Sequence, residues 1–284
     1  MATLRDIRRR IRSVRSTAQI TKTMEMVSAA KLRRAQTALE SARPYDRELK
    51  KVLANLASAS GDSLTPVFVR REVKRRAVIV ITSDRGLSGA FNVNLIKATE
   101  GQLRAGGAPI SLVTLGRKGS DYFRRRNASV LFSNTELGGV ASWKMAEELS
   151  RDLTARFLSG EIDEVDLVFT HFRSALVRSI VIEPFLPLGR GETTETVQTL
   201  DYIFEPSPEA ILEKIVPYYL AMRLYMALAE SAASEHGARM VAMGSATKNA
   251  NEMIQNLTLH MNRTRQATIT RELVEIVAGA EALK

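Results

Sequence analysis

The residues most able to do chemistry lie in Ser83-Asp84-Arg85-Gly86-Leu87-Ser88-Gly89-Ala90-Phe91-Asn92. This stretch follows a β-branched run and precedes an amphipathic one. In a doubly wound fold, such a turn offers backbone N–H groups and a helix N-terminus to a phosphate. Its glycines are not spaced as G-x-G-x-x-G, and no G-x-x-x-x-G-K-[ST] occurs. The simpler reading is a tight strand-to-helix turn in which Gly86 and Gly89 supply backbone freedom. A second phosphate-loop-like string, Met243 to Asn249, falls inside a helical pattern, so its likeness is fortuitous. The carboxylate neighbours Glu147/Glu148 and Asp163/Glu164 sit at expected helix or loop edges, where solvated surface outweighs acid–base work. His171, His236 and His260 are not paired at metal-ligand spacing, and the chain has no cysteine. Disulfides, thiol catalysis and Cys-ligated metals are therefore excluded, and no catalytic residue, metal or cofactor is expected.

Elements long enough to position anything are clearest at the two ends. From Ser207 the sequence reads as a helix start: Ser207 as N-cap, Pro208 at the first helical position, Glu209 in the first turn. Met222, Met226, Ala229, Ala233, His236, Met240, Met243, Thr247, Ala250, Ile254, Leu257, Met261, Thr264 and Thr268 then follow at spacings of four and three. That is the spacing of a coiled-coil seam, built from small and flexible side chains. One helix over residues 218–284 would reach ~100 Å at 1.5 Å per residue, which exceeds a domain of this size and calls for a partner helix. Pro217 is expected to kink it.

Residues 2–43 form the natural partner. Leu4, Ile7, Ile11, Val14 and Ala18 make an apolar stripe, expected to shift through Ile20, Met24 and Val27. Pro44 is expected to break or kink this helix, with residues 45–58 resuming it. Between the ends, strands expected at 77–83, 109–115, 129–132, 164–172 and 179–186 alternate with helices at 92–104, 118–126 and 142–159. The last two strands form a hairpin at one edge. Such alternation means a mainly parallel sheet with helices on its faces. The fold class is thus α/β plus coiled coil: long antiparallel terminal helices around a central Rossmann-like domain. The division expected is 1–58, 74–200 and 207–284, with a polar loop at 189–199.

Apolar content of 45% and charged content of 25% suit a soluble globular chain, and the longest strand-like apolar run, Ala77–Ile81, is far short of a membrane span. The net charge of +10 is concentrated in residues 1–51, which carry +9, whereas residues 207–284 are neutral. An anionic partner is expected at the N-terminal segment. That segment imitates an Arg-rich presequence, but Asp6 and the unbroken helical pattern favour mature protein.

Four stretches carry a family resemblance: Ile20 to Gln36, Ser83 to Asn92, Ala233 to Met243, and Asn262 to Leu283. Together they closely resemble the gamma subunit of F-type rotary ATP synthases, in the family's order and across nearly the whole chain. The resemblance implies a coiled-coil shaft inside a ring of alternating alpha and beta subunits. It implies a foot near epsilon and the membrane c-ring, with catalysis on beta rather than on this chain. Three chemically identical sites can differ only if something asymmetric touches them differently, and coupling between shaft angle and site occupancy is then reciprocal.

By the resemblance, Lys22, Met24 and Glu25 match the N-helix segment facing an acidic loop of beta. Arg239, Gln266, Thr270 and Glu272 match C-helix positions that contact beta. Gln266 and Thr270 are four apart and share a helix face, and Arg265 and Glu272 are seven apart. Tyr202 and Glu205 match the foot loop near the c-ring. The implied location is peripheral, at the cytoplasmic face of a bacterial inner membrane, with only indirect membrane contact. Ser88 stands where many members have cysteine, the paired regulatory cysteines of the chloroplast form have no counterpart, and Arg271 replaces a frequent glutamine. The rival reading is a basic coiled coil that binds nucleic acid. It would want aromatic residues beside the charge, and the first 43 residues contain no Phe, Tyr or Trp.

Overall fold

Ala77, Val78, Ile79, Val80 and Ile81 are all but inaccessible to solvent, as expected of a strand covered on both faces. They belong to β1 (Arg76–Ile81), the centre of a five-stranded sheet. The computed structural model describes residues 4–59, 65–189, 205 and 207–281. In chain order its elements are α1 (Leu4–Ala59), a single 3-10 turn (Pro66–Phe68), β1, α2 (Phe91–Arg104), β2 (Ile110–Leu115), α3 (Arg117–Arg124), β3 (Val130–Asn134), α4 (Trp143–Leu158), β4 (Glu164–Phe172), β5 (Arg178–Leu186) and α5 (Pro208–Glu281).

The strand order is β3-β2-β1-β4-β5. β1 pairs in parallel with β2 and β4, β2 pairs in parallel with β3, and β5 closes the edge antiparallel to β4. The expected α/β architecture with an edge hairpin is therefore present. The chain divides into two compact units, 28–239 and 1–27 with 240–284. The loop expected at 189–199 lies outside the described residues, apart from Gly189.

In the 28–239 unit, Val78, Val80, Leu112 and Val168 of the sheet pack with Phe91, Leu95 and Ile96 of α2 and Phe123 of α3. From Leu220 to Arg239, α5 is buried on nearly every face, so this part of the seam belongs to a core helix. Tyr45 of α1 stacks edge-on against Tyr218 of α5 at 5.7 Å, and Arg43 lies 3.8 Å from Glu230. Advancing along α1 thus means retreating along α5, the antiparallel sense.

In the other unit the pairing has the same sense. Thr21 Oγ1 lies 2.8 Å from Thr247 Oγ1, and a Cβ on Gly244 would sit 3.4 Å from the Glu25 carboxyl carbon. At this register Leu4 comes level with about Thr264. The seam positions Met240, Met243, Thr247, Ala250, Ile254, Leu257, Met261, Thr264 and Thr268 are accordingly buried or half-buried. Residues 269–280 are exposed on every face.

Two expectations about the helices need correction. The stripe on α1 does not shift. Buried and half-buried positions continue through Ala18, Thr21, Glu25, Ser28 and Leu32 at strict heptad spacing, while Ile20 and Val27 are more than half exposed. Side-chain direction follows backbone phase, so two small polar residues occupy the seam and two apolar ones face away. Nor does Pro44 break α1, which continues through it, as α5 continues through Pro217, where no break was expected. Each proline frees one carbonyl four residues earlier, at Glu40 and Glu213. All four residues are exposed, so water can satisfy those oxygens.

Candidate functional site

The start of α5 follows the capping logic expected of it. The backbone N–H of Ala210 donates to Ser207 Oγ at 3.3 Å, and hydrogen bonding from backbone and from Ser207 holds the Glu209 carboxyl below its ordinary range. Higher up, α5 lies over the carboxyl ends of the strands, where open α/β sheets bind their ligands. Thr170 of β4 receives Ser231 and Ser234: its N–H donates to Ser231 Oγ at 3.4 Å, and its carbonyl accepts from Ser234 Oγ at 3.3 Å. His236 Nε2 lies 2.9 Å from the Gly139 carbonyl. Arg239 donates to the carbonyls of Arg85 and Gly86, both at 3.3 Å, and to Glu235 Oε1 at 2.7 Å.

The Ser83–Asn92 turn is thus fastened to a helix. Ser83 Oγ donates to the Arg85 carbonyl at 2.6 Å, and Asn92 Nδ2 donates to Ser83 Oγ at 2.8 Å. The Asp84 carboxylate accepts from the backbone N–H groups of Gly138 and Arg117, at 2.8 and 3.2 Å. Gly89 has φ +57°, as its expected freedom requires, but the second left-handed residue is Leu87 at φ +63°, not Gly86. The Arg85 and Gly86 carbonyls of this turn accept from Arg239, and the Ser83 N–H donates to Asn92 Oδ1 at 2.9 Å. The crevice between Ile81, Thr82, Gly139 and helix residues Leu228, Ser231 and Glu235 holds only about 10 Å³ of free space. That volume is too small for a nucleotide, and α5 fills the place one would take.

The residues matched to the family's beta contacts fall into three settings. Lys22 is exposed, with Nζ 3.3 Å from Glu25 Oε2. Met24 is half-buried, and Glu25 is half-buried beside Gly244. Gln266, Thr270 and Glu272 are exposed. Arg239, expected on a partner-facing surface, is instead buried and bonded within its own unit. Glu205 is exposed, and Tyr202 lies outside the described residues.

Sequence reading missed the fastening group of Asp84, Ser231, Ser234 and Glu235. Glu235 and Arg239 are four apart on a helix, a spacing that could have paired them. The contact of Thr170 with two helix serines had no sequence signal, because it depends on how the helix lies on the sheet.

No helix among the described residues is long and apolar enough to cross a membrane. Residues 3–283 match a family model described as ATP synthase. The chain is 50% identical to the ATP synthase gamma chain of Moorella thermoacetica and 47% identical to that of Pelotomaculum thermopropionicum, in each case over the full length of both proteins. Among solved structures it is similar to a chain of the central stalk and c-ring of the Tetrahymena thermophila mitochondrial ATP synthase, with TM-score 0.60 and 26% identity, covering 80% of this chain and 99% of that one. It is also similar to a chain of the Euglena gracilis mitochondrial ATP synthase rotor. There the TM-score is 0.65 and the identity 19%, covering 94% and 98% of the two chains, a likeness of fold.

Proposed function

The chain belongs to the family of ATP synthase gamma chains, and from that premise we propose that it is the central rotor stalk of such an enzyme. In this role it carries rotation of a membrane c-ring to the catalytic sites, which lie on beta subunits. The chain itself is not the catalyst. Residues 1–58 and 207–284 act as shaft and the 74–200 segment as foot. Its partners are the alpha and beta ring around the shaft, and epsilon and the c-ring at the foot, so membrane contact is indirect. Attachment is peripheral, at the cytoplasmic face of a bacterial inner membrane.

The observation that carries this reading is the upper part of α5. Its seam is covered as far as Thr268, whereas Gln266, Thr270, Glu272 and every described side chain from Ile269 to Ala280 are exposed. An apolar run that includes Ile269, Leu273, Val274, Ile276 and Val277 stands uncovered, and large uncovered apolar surface marks a partner site. On α1, Lys22, Met24 and Glu25 supply a mixed ionic and adaptable apolar contact. Such contacts can move a site's equilibrium only as far as they differ between shaft angles. Glu205, with Tyr202, is assigned to the c-ring end.

Membrane vesicles depleted of the chain and refilled with it test the reading. ATP-driven proton uptake should appear only with the chain present, and the chain should copurify with alpha and beta subunits. A chain that never associates with them, or vesicles that pump equally without it, would refute the assignment.

A further inference from the structure

We propose that the edge of the sheet where its parallel strands begin faces lipid, and that its arginines bind anionic headgroups of the membrane around the c-ring. In a doubly wound sheet the helices end, and the parallel strands start, along one edge. Here that edge carries Lys74 and Arg75 ahead of β1, Arg104 at the end of α2, and Arg124, Arg125 and Arg126 at the end of α3, all exposed. The backbone ties the edge together. The Arg76 N–H donates to the Pro109 carbonyl at 3.0 Å, and the Leu112 N–H donates to the Ser129 carbonyl at 2.7 Å. Of the exposed carboxylates nearby, Glu72 lies 3.7 Å from Lys74 and Glu161 lies 2.7 Å from Arg156.

Four of these six cations gather at the ends of α2 and α3. Glu100 sits between Arg104 and Arg126, 3.6 and 3.7 Å from their nitrogens, and Tyr122 Oη donates to it at 2.8 Å. The Arg126 guanidinium lies 3.8 Å over the Tyr122 ring. The Glu100 side chain is 20% exposed, whereas those of Arg104 and Arg126 are 79% and 55% exposed. A covered carboxylate thus orders guanidinium groups whose other N–H donors meet solvent, and four arginines outweigh it. One cation in a last turn complements a helix dipole, but three in succession at α3 exceed that need. Guanidinium groups suit phosphate oxygens, which they can meet with paired N–H bonds.

The choice of lipid rests on the rotor function proposed above. β5 runs antiparallel, so it ends at this edge: Leu186 pairs with Val165 at the start of β4, and Arg70 donates to the Gly189 carbonyl at 3.2 Å. From here the chain leads on to Glu205, assigned to the c-ring, so the edge is the membrane side of the foot. β2 and β3 lie three and four strands from β5, about 14 and 19 Å to the side. The arginines at the ends of α2 and α3 therefore overhang the c-ring contact, toward the lipid that surrounds it. An anionic leaflet attracts basic residues held within a Debye length. A fixed acidic loop on a stationary subunit would attract them at one angle and hinder rotation. Fluid headgroups attract them alike at every angle, so the contact steadies the foot without favouring any angle.

The test uses the complex of the chain with alpha and beta subunits, detached from the c-ring. It is floated on a density gradient with vesicles of phosphatidylcholine alone or with phosphatidylglycerol added. The complex should rise only with the phosphatidylglycerol vesicles, and less as salt increases. Each basic residue at an anionic surface contributes roughly a fivefold factor, so Arg104→Gln, Arg124→Gln, Arg125→Gln and Arg126→Gln together should weaken binding by more than about tenfold. Should that variant fail to fold, Arg124→Gln with Arg125→Gln leaves Glu100 its partners and should still weaken binding several-fold. Lys97→Gln with Lys118→Gln alters exposed residues away from this edge. It removes as much charge as the arginine pair, yet should leave binding within about twofold at physiological salt. The proposal is overturned by a parent complex that does not bind, by arginine variants that bind equally, by equal weakening in the lysine control, or by binding that requires c-ring in the vesicles. A chain that does not assemble with alpha and beta subunits overturns the rotor assignment instead, and the same vesicles with the chain alone then test the lipid contact.

Discussion

His236 and Gly139 fit each other with no room between them. The imidazole Nε2 lies 2.9 Å from the Gly139 carbonyl, and a Cβ added to Gly139 would lie 2.9 Å from the ring's Cε1. Gly139 also has φ +70°, so alanine there would meet both backbone strain and the ring. Gly138, at φ +66°, faces open space. Gly138→Ala should show strain alone, of order 1–3 kcal/mol, and Gly139→Ala should cost more than its neighbour. Urea unfolding of the purified chain measures both.

The same histidine predicts a pH dependence. Burial pushes the His236 imidazole below its ordinary value. Its Nδ1 is buried without a partner, so protonation would create a buried N–H with no acceptor. Between the lowered folded value and the unfolded one, about 6.5, the unfolded chain binds the extra proton. Stability from this group is therefore full above that range and falls as pH drops through it. Glu230 acts in the opposite direction. Burial raises its carboxyl despite His171 and Arg43, so the folded chain holds the proton longer and stability falls as pH rises through that window. His236→Gln keeps a donor for Gly139 and removes the first effect. On going from pH 7.5 to 5.5 its unfolding midpoint should fall less, or rise more, than that of the parent chain.

Arg239 and Glu235 form a buried ion pair whose other donors hold the Ser83–Asn92 turn against α5. Arg239→Met leaves a buried carboxylate and two carbonyls without this partner. Removing one member of such a pair costs about 3–5 kcal/mol. Arg239→Met combined with Glu235→Leu should recover part of the loss, because no uncompensated charge remains. The double-mutant cycle in denaturant measures the coupling, and additive losses would mean that the two charges do not depend on each other.

Much of this architecture was legible because its signals are local. The β-branched run at Ala77–Ile81, the Ser207–Pro208 helix start and the fourteen-position α5 seam each read out a backbone period or cap. What was missed depends on rotation and packing. Thr21 and Ser28 are seam residues because helix phase puts them there, while Ile20 and Val27, more apolar, face outward. The turn beyond β1 read as a strand-to-helix turn, yet Leu87 as well as Gly89, and not Gly86, takes a left-handed conformation, and the Arg85 and Gly86 carbonyls accept from Arg239, distant in sequence. Arg239, matched by resemblance to a beta contact, is buried for a similar reason: the turn whose carbonyls it meets comes from a distant part of the chain.

The exposed end of α5 separates folding from function. Leu273 and Ile276 are 57% and 68% exposed, so Leu273→Ser and Ile276→Ser should change the chain's own stability by no more than about 0.5 kcal/mol. If this run is a partner surface, the same variants should weaken assembly with the alpha and beta ring or lower ATP-driven rotation. Normal assembly and normal rotation together would mean that the run touches nothing.

Met24→Lys tests the α1 face. Met24 is half-buried, on the same helix turn as the Lys22–Glu25 ion pair, and the N-terminal segment around it is strongly basic. If this face meets the acidic loop of beta that the resemblance implies, a new ammonium adds attraction to it. At a partly exposed contact each ion pair is worth about 0–1 kcal/mol, and exclusion of water inside the ring would increase it. Attraction that is stronger at resting angles than between them deepens the wells and raises the barrier to rotation. The substitution also removes an adaptable apolar contact, while the chain's own fold should change little, since the seam residues Thr21 and Ser28 are untouched. The expected outcome is an assembled complex that hydrolyses ATP but pumps fewer protons per ATP. Proton uptake and ATP hydrolysis measured together in vesicles give that ratio, and a normal ratio with normal assembly would mean that this face does not meet the ring.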